Sequence, residues 1–337
     1  MTCSRRAALL GLSAGAFAPM LARAAPVLPD APPRMRVIVD NDLAGDPDGL
    51  FQLAHALRSP SADVRLIVGS HLHSPQDAEP DDGHQADKAA AKARELLALM
   101  GLAGRVPVVR GAEGALGRAD RRNSAEAVAA IVAEGMRSDV QTPLFYTAGA
   151  GLTDLAAALQ AEPRLAQRMT LVWIGGAEHD GVALPPPGGT PGEYNFTIDP
   201  AAAQFVFGQS AIPIWQVPRN AYRQMLVSLA ELRVLAQSGP VGAWLVAQLD
   251  HMRGQLTRLG RNLGEVYALG DSPLVTLTAL QAAFEPDPAS SRYHLAPTPR
   301  LGEDGAYLPR PDGRPMRVYD WIDTRLTFAD MFAKLAH

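Results

Sequence analysis

Six short apolar runs recur through the first two thirds of the chain: MRVIVD (35–40), VRLIVGS (64–70), VPVVRG (106–111), PLFYTAG (143–149), TLVWIGG (170–176) and IPIWQVP (212–218). Each is too short for an ordinary helix and lacks the alternation of a half-exposed strand, which is the pattern of strands covered on both faces. Segments of helical period separate them. DKAAAKARELLALMG (87–101) ends on a glycine stop, NSAEAVAAIVAEGM (123–136) opens with Asn123 and Glu126 in capping-box spacing, and LTDLAAALQAEPRLAQRM (152–169) follows the fourth run. Strand–helix alternation over this length predicts an α/β fold, a mostly parallel open sheet with helices on both faces. Residues 226–260 read as an added helical layer. The Pro-, Gly- and charge-rich stretch 285–315 reads as loop, with a hairpin around AYLPRPDGRPMRVYDW (306–321).

Residues 1–24 follow different rules. Arg5-Arg6 after Ser4, then an apolar run and a small-x-small ending at Ala22-Arg23-Ala24, form the twin-arginine pattern of an export signal, with cleavage expected near Ala24 and a periplasmic or secreted protein as the result. The apolar run falls short of the ~20 residues of a membrane span, so a stable anchor is not expected. The α/β domain then runs from 25 to 337 of the 337 residues. Cys3, the only cysteine, leaves with the signal, which excludes disulfides, a cysteine nucleophile and thiolate metal sites. Loss of Arg5, Arg6 and Arg23 takes the formal charge from −4 to −7 and leaves no basic run, which disfavours nucleic-acid binding.

The first apolar run ends in a crowd of acids, DNDLAGDPD (40–48). In open α/β sheets ligands bind at the carboxyl ends of the strands, where these aspartates fall. Gly45, Pro47 and Gly49 turn the loop tightly enough for several carboxylates to converge, and convergence requires a cation. With no histidine or cysteine in the loop, an oxygen-only donor set selects a hard ion, Ca²⁺ or Mg²⁺. An EF-hand loop does not fit, because Ala44 and Phe51 stand where ligands are needed. A solvated acidic turn is the plain alternative. A phosphatase of the haloacid dehalogenase type is another, suggested by the strand followed by Asp-x-Asp and by Gly270-Asp271, but Ala44 breaks its first motif and no second carboxylate closely follows Asp271.

The order of further motifs resembles the inosine-uridine-type nucleoside hydrolases. DNDLAGDPD is similar to that family's Asp-x-Asp-x-x-x-Asp-Asp if Pro47 is a one-residue insertion. TAGAGLTDLAAAL, LVWIGGA, GEYNFTIDPAAAQFVF, IPIWQVPRN and GDSPLVTLTAL resemble its later segments in the same order, over residues 36–284. The resemblance implies a nucleoside hydrolase-like fold and a calcium-dependent hydrolase of the N-glycosidic bond of ribonucleosides or related N-ribosides. It also implies a small nucleoside or ribose-containing substrate and a homo-oligomer. Carried over by residue, it makes Asp42, Asp48 and Asp271 carboxylate ligands of one Ca²⁺, with a backbone carbonyl of Thr147 or Gly149. Asp42 is also the catalytic base, Asp46 binds a sugar hydroxyl, and Glu193 and Asn195 hold the other end of the ribose.

Departures from the family stand beside the matches. Gly270 occupies the place of a histidine that in many members protonates the leaving group, and VRGAEGAL (109–116) lacks a further expected histidine. His71, after the second strand, is the candidate to serve near the substrate, ahead of His73 and His84, while His55 reads as packing. The insertion EHDGVALPPPGGTP (178–191) replaces a segment that in the family often contacts ribose. These gaps keep open an exported nucleoside- or sugar-binding protein with little turnover.

Overall fold

Each of the six apolar runs forms a strand: β1 (Met35–Asn41), β2 (Ala62–Gly69), β3 (Val108–Arg110), β4 (Leu144–Ala148), β5 (Met169–Ile174) and β6 (Ile214–Val217). The computed structural model describes residues 32–72, 82–117, 125–189, 192–282 and 290–336. The export signal, His73 and the Asn123 cap lie outside these ranges. Ala31–His337 forms one compact unit.

The chain continues through a two-stranded ribbon, β7 (Leu226–Ser228) and β8 (Val266–Ala268), then β9 (Arg292–Pro297), a short hairpin of β10 (Arg300–Leu301) and β11 (Tyr307–Leu308), and β12 (Pro315–Trp321). The main sheet has eight strands in the order β3-β2-β1-β4-β5-β6-β12-β9. All pairs are parallel except β12–β9. The first six strands therefore carry the doubly wound order 3-2-1-4-5-6, whose direction of winding reverses between β1 and β4.

β9 corrects the reading of 285–315 as loop, and the hairpin expected around 306–321 does not form, because β11 pairs with β10 and β12 pairs with β9 and β6. β9 lies at the sheet edge and is exposed or half-buried along its length, so it has no apolar run to betray it. It is held by pairing with β12 and by Arg317, whose guanidinium carbon lies 4.3 Å from both the Trp215 and the Tyr293 ring. Arg314 orders the segment before β12 by donating from Nε, Nη1 and Nη2 to the carbonyls of Ile212, Phe207 and Val206. Two of these lie in the last turn of the helix α6 (Pro200–Gly208), where the Val206 carbonyl also accepts from Ser210 Oγ at 2.6 Å.

Strand alternation sorts the core into two layers. Val37 and Val39 point into the layer of α1 (Asp48–Leu57), α2 (Gln85–Leu99) and the C-terminal α11 (Thr324–Leu335), and Ile38 into the layer of α3 (Ala125–Gly135), α4 (Thr153–Ala161) and α6. The other helices are α5 (Tyr194–Ile198), α7 (Arg219–Tyr222), α8 (Leu229–Ser238), α9 (Pro240–Arg258) and α10 (Pro273–Thr276). Ser228 and Glu231 start α8 with a reciprocal capping box. Among the described residues no helix is long and apolar enough to cross a membrane.

α2 lies close on β2 because its inner face is alanine, with Ala86, Ala89, Ala90 and Ala93 all buried. A Cβ on Gly69 would stand 2.3 Å from the Ala90 amide nitrogen. The obstacle is backbone, which cannot swing aside, so Gly69→Ala should destabilise the fold by about 2–3 kcal/mol as an overpacked core does. Urea unfolding checks it; a change within about 0.5 kcal/mol, the range of ordinary surface substitutions, refutes the tight contact.

Candidate active site

The crevice at the β1/β4 reversal is built from the residues that follow each strand. β1 runs into a tight turn in which Gly45 N donates to Asp42 O at 2.7 Å, and the chain then enters α1 at Asp48. Asp48 sits in the first turn of that helix, where exposed N–H groups and the helix dipole favour negative charge, and its Oδ1 accepts from Gly49 N at 2.9 Å. Asp271 arrives from the far end of the sequence, just before α10, and its own N–H donates to Asp48 Oδ2 at 3.2 Å. Asn41 Nδ2 donates to Asp271 Oδ2 at 2.8 Å.

The turn after β4 passes between these groups. A Cβ on Gly149 would lie 2.4 Å from Asn41 Nδ2 and 2.5 Å from Asp271 Oδ2, so only glycine allows the approach. Its N–H is bonded to Asp40 O at 3.0 Å, and Trp173 Nε1 holds the neighbouring Ala150 carbonyl at 3.0 Å. Thr147 lies one step back inside β4 and spends its hydroxyl on Ile38 O. Of the two residues named for a carbonyl ligand, Gly149 is the one whose α-carbon lies against Asn41 and Asp271, while its carbonyl accepts from Asn195 Nδ2 at 3.3 Å.

The four aspartates grade from floor to rim: Asp42 and Asp271 are buried, Asp48 is half-buried and Asp46 is exposed. Asp46 accepts from Tyr267 Oη at 2.8 Å and from Asp48 N at 3.3 Å, so the β7–β8 ribbon, which carries Tyr267, braces the rim. Burial, and then the charges of Asp271 and Asp46, hold the Asp42 carboxyl well above the usual range. Burial and the same two neighbours do so for Asp48. Burial raises Asp271 to about 7 against the pull of the Asn41 hydrogen bond. Among the described residues none of these four acids forms an ion pair.

This donor set suits a hard cation. It is all oxygen, it carries uncompensated negative charge, and Asn41 Oδ1 is buried without a hydrogen-bond partner. Among the described residues no three carboxylate or histidine side chains are already gathered as a metal cage. The donors in mutual contact are instead Asn41, Asp48, Gly149 and Asp271.

The second half of the site stands on β5 and α5. Glu193 caps α5: Oε2 accepts from Gly176 N at 2.7 Å and Phe196 N at 3.2 Å, and Oε1 accepts from Asn195 N at 3.2 Å and Tyr222 Oη at 2.9 Å. Burial raises its pKa despite these four donors. Asn195 Nδ2 spans the carbonyls of Ile174 at 2.8 Å and Gly149 at 3.3 Å, tying the ends of β5 and β4 together. The two halves are electrostatically joined, since Glu193 adds its charge to the field at Asp271.

His71 is buried one residue beyond Ser70, whose N–H donates to Asn41 O, so it lies at the same sheet edge as the acids. His84 stands apart on the surface at the start of α2, beside Asp82 and Asp87. His55 packs as expected, with Nε2 on Asp330 Oδ2 at 2.7 Å between α1 and α11. Asn41, Tyr222 and Tyr267 were not singled out from sequence. Each is a single residue outside any spacing pattern, and only Asn41, inside DNDLAGDPD, lay in a stretch that already carried a signal.

Comparison with known proteins agrees with this geometry. Residues 37–295 match the family described as inosine-uridine preferring nucleoside hydrolase. No curated protein gives a significant match. Among solved structures, the plant nucleoside hydrolase PpNRh1 superposes with a TM-score of 0.70 at 20% identity, covering 90% of this chain and 99% of that one. The purine-preferring ribonucleoside hydrolase from Gardnerella vaginalis gives 0.67 at 18%, covering 89% and 98%. The inosine-uridine preferring nucleoside hydrolase from Bacillus anthracis gives 0.60 at 18%, covering 90% and 99%. With residues 37–295 matching that family, the phosphatase alternative falls away. The chain belongs to the inosine-uridine preferring nucleoside hydrolase family and is a hydrolase of N-glycosidic bonds.

Proposed function

We propose that this hydrolase acts on ribonucleosides or closely related N-ribosides, with Ca²⁺ as its cofactor, and releases a base and free ribose. The observation that carries this reading is the set of acids at the β1/β4 crevice, whose pKa values are raised by burial and then by one another's charge, with no cationic side chain paired to them among the described residues. Asp42, Asp48, Asp271 and the Gly149 or Thr147 carbonyl would hold the ion. Bound there, Ca²⁺ would lower the pKa of a water and orient sugar hydroxyls as a Lewis acid.

The protein's own groups do the remaining work. Asp42 accepts the proton of the attacking water, a task suited to a carboxylate whose proton affinity is raised. Asp46, at the rim, accepts a hydrogen bond from a ribose hydroxyl. The acids stabilise the positive charge that grows on the sugar ring as the N-glycosidic bond stretches. Glu193 and Asn195 hold the far end of the ribose with the acceptor capacity left after their backbone bonds, and His71 borders the substrate at the β2 end. Export by the twin-arginine route, read from Arg5-Arg6, would place this chemistry outside the cytoplasm.

Three measurements test the reading. Reducing-sugar release from purine and pyrimidine nucleosides should appear with calcium, vanish in a chelator and return on re-addition; turnover that persists in chelator rejects the metal. Asp42→Asn should lower kcat by roughly 10³-fold, the scale of a lost general base, while ribose affinity stays within about ten-fold. Absence of any turnover in the unmodified protein, with ribose still bound, would instead mark a binding protein.

The third measurement concerns pH. Asp271 has a folded pKa of about 7 against an ordinary 3.8, so without calcium the folded state holds its proton more tightly than the unfolded chain. The contribution of Asp271 to stability is then fully present below about pH 4 and is lost as pH rises through 7. Calcium binds the ionised form, so its gain in melting temperature should be larger at about pH 8 than at about pH 5. An equal gain at both values contradicts the assignment.

A further inference from the structure

Tyr222 stands between the two halves of the site, and none of the roles assigned so far uses it. It closes the short helix α7 directly after β6 and is only half-buried. Two contacts fix it. Its hydroxyl donates to Glu193 Oε1 at 2.9 Å. Its ring lies over Gly270, where a Cβ would be 3.3 Å from Tyr222 Cδ2 and 3.3 Å from Asp48 Oδ2. Gly270 does not adopt a positive φ, so its backbone places no demand for glycine. What glycine supplies there is room for the tyrosine ring against the Asp48–Asp271 face.

We propose that Tyr222 is a positioning residue of the ribose pocket: its ring forms the wall over Gly270 and its hydroxyl fixes the Glu193 carboxylate that faces the sugar. The assignment rests on the ribose-binding role given to Glu193 above. Among the described residues Glu193 Oε1 accepts from Asn195 N at 3.2 Å and from Tyr222 Oη at 2.9 Å, and the phenol is the shorter. Without it that oxygen keeps the longer bond from the Asn195 amide alone. The other carboxylate oxygen is already committed to Gly176 and Phe196, so the phenol decides where the remaining lone pairs of Oε1 point. Burial, then the neighbouring Glu193 charge, keeps the phenol protonated, so that it remains a donor across the working pH range. The hydroxyl lies on Glu193 and away from the acid cluster, so it acts on sugar binding and not on the step that consumes water.

The test compares Tyr222→Phe and Tyr222→Ala with the unmodified protein, by steady-state kinetics on the best nucleoside found and by calorimetric titration of D-ribose in calcium. Phenylalanine keeps the wall and removes one hydrogen bond to a charged group, so KM and the ribose Kd should rise about ten-fold with kcat nearly unchanged. Its melting temperature should stay within about 2 °C. Alanine removes the wall as well and should raise both constants further, so that phenylalanine is a partial rescue. Unchanged KM and Kd in Tyr222→Phe overturn the proposal, as does a fall in melting temperature with binding intact, which would mark a packing residue. If the unmodified protein turns over no nucleoside but binds ribose, the proposed function fails while the ribose titration still decides the role of Tyr222. If it does neither, both readings fall.

Discussion

The crowding of carboxylates at the β1/β4 crevice is the constraint around which the rest of this structure is arranged. The doubly wound sheet brings the end of β1, the turn after β4 and the start of α10 to one point, and each delivers an acid or a backbone that must lie against an acid. Left alone, such a cluster would splay toward solvent. It is kept in place by neutral donors: Asn41 on Asp271, Tyr267 on Asp46, and the Gly49 and Asp271 amides on Asp48. These bonds orient the carboxylates without neutralising them, which leaves the charge available for a cation.

Much of this organisation is legible in the sequence, and the parts that are not share a physical cause. The six central strands announce themselves because both of their faces are covered, so each is a continuous apolar run. β9 does not, because it is an edge; it is held by β12 and by Arg317 stacked between two rings, while Arg314 fixes the segment before β12 on carbonyls of α6 and Ile212, all contacts between distant residues. In the site, the aspartates are readable as a local cluster and as a motif order. Tyr222 and Tyr267 are not, since a lone tyrosine in a helix end or a ribbon has the same sequence signature whether it faces solvent or braces a carboxylate.

The two halves of the site are not independent supports. Asn195 clasps the carbonyls of Ile174 and Gly149, Glu193 holds the Gly176 amide, and Tyr222 reaches from Glu193 to the Gly270–Asp48 face. A shift of β5 relative to β4 would therefore move Glu193, Asn195 and the acidic floor together. Placing the site on strand ends joined by side chains, and not on long loops, fixes the distance between the groups that must meet opposite ends of one small sugar.

That rigidity also explains where the fold accepts strain. Buried acids without counter-ions destabilise the folded chain at neutral pH, and the neighbouring structure offsets this with bonds that do not touch the acids of the floor. Thr147 Oγ1 bonds Ile38 O, Gly149 N bonds Asp40 O, Trp173 Nε1 bonds Ala150 O, and the Asp40 side chain is held by Ser70 and Tyr146 behind the crevice. Asp40, though one of the same acidic run, is thus turned away from the ligand side and used as an anchor for β1, β2 and β4. One run of aspartates serves two ends, because Asp40 lies inside β1 while the tight turn after the strand carries the later members into the crevice. The acids that remain in the crevice keep a repulsion that ligand binding can relieve, and stability surrendered at such a site is what gives it affinity.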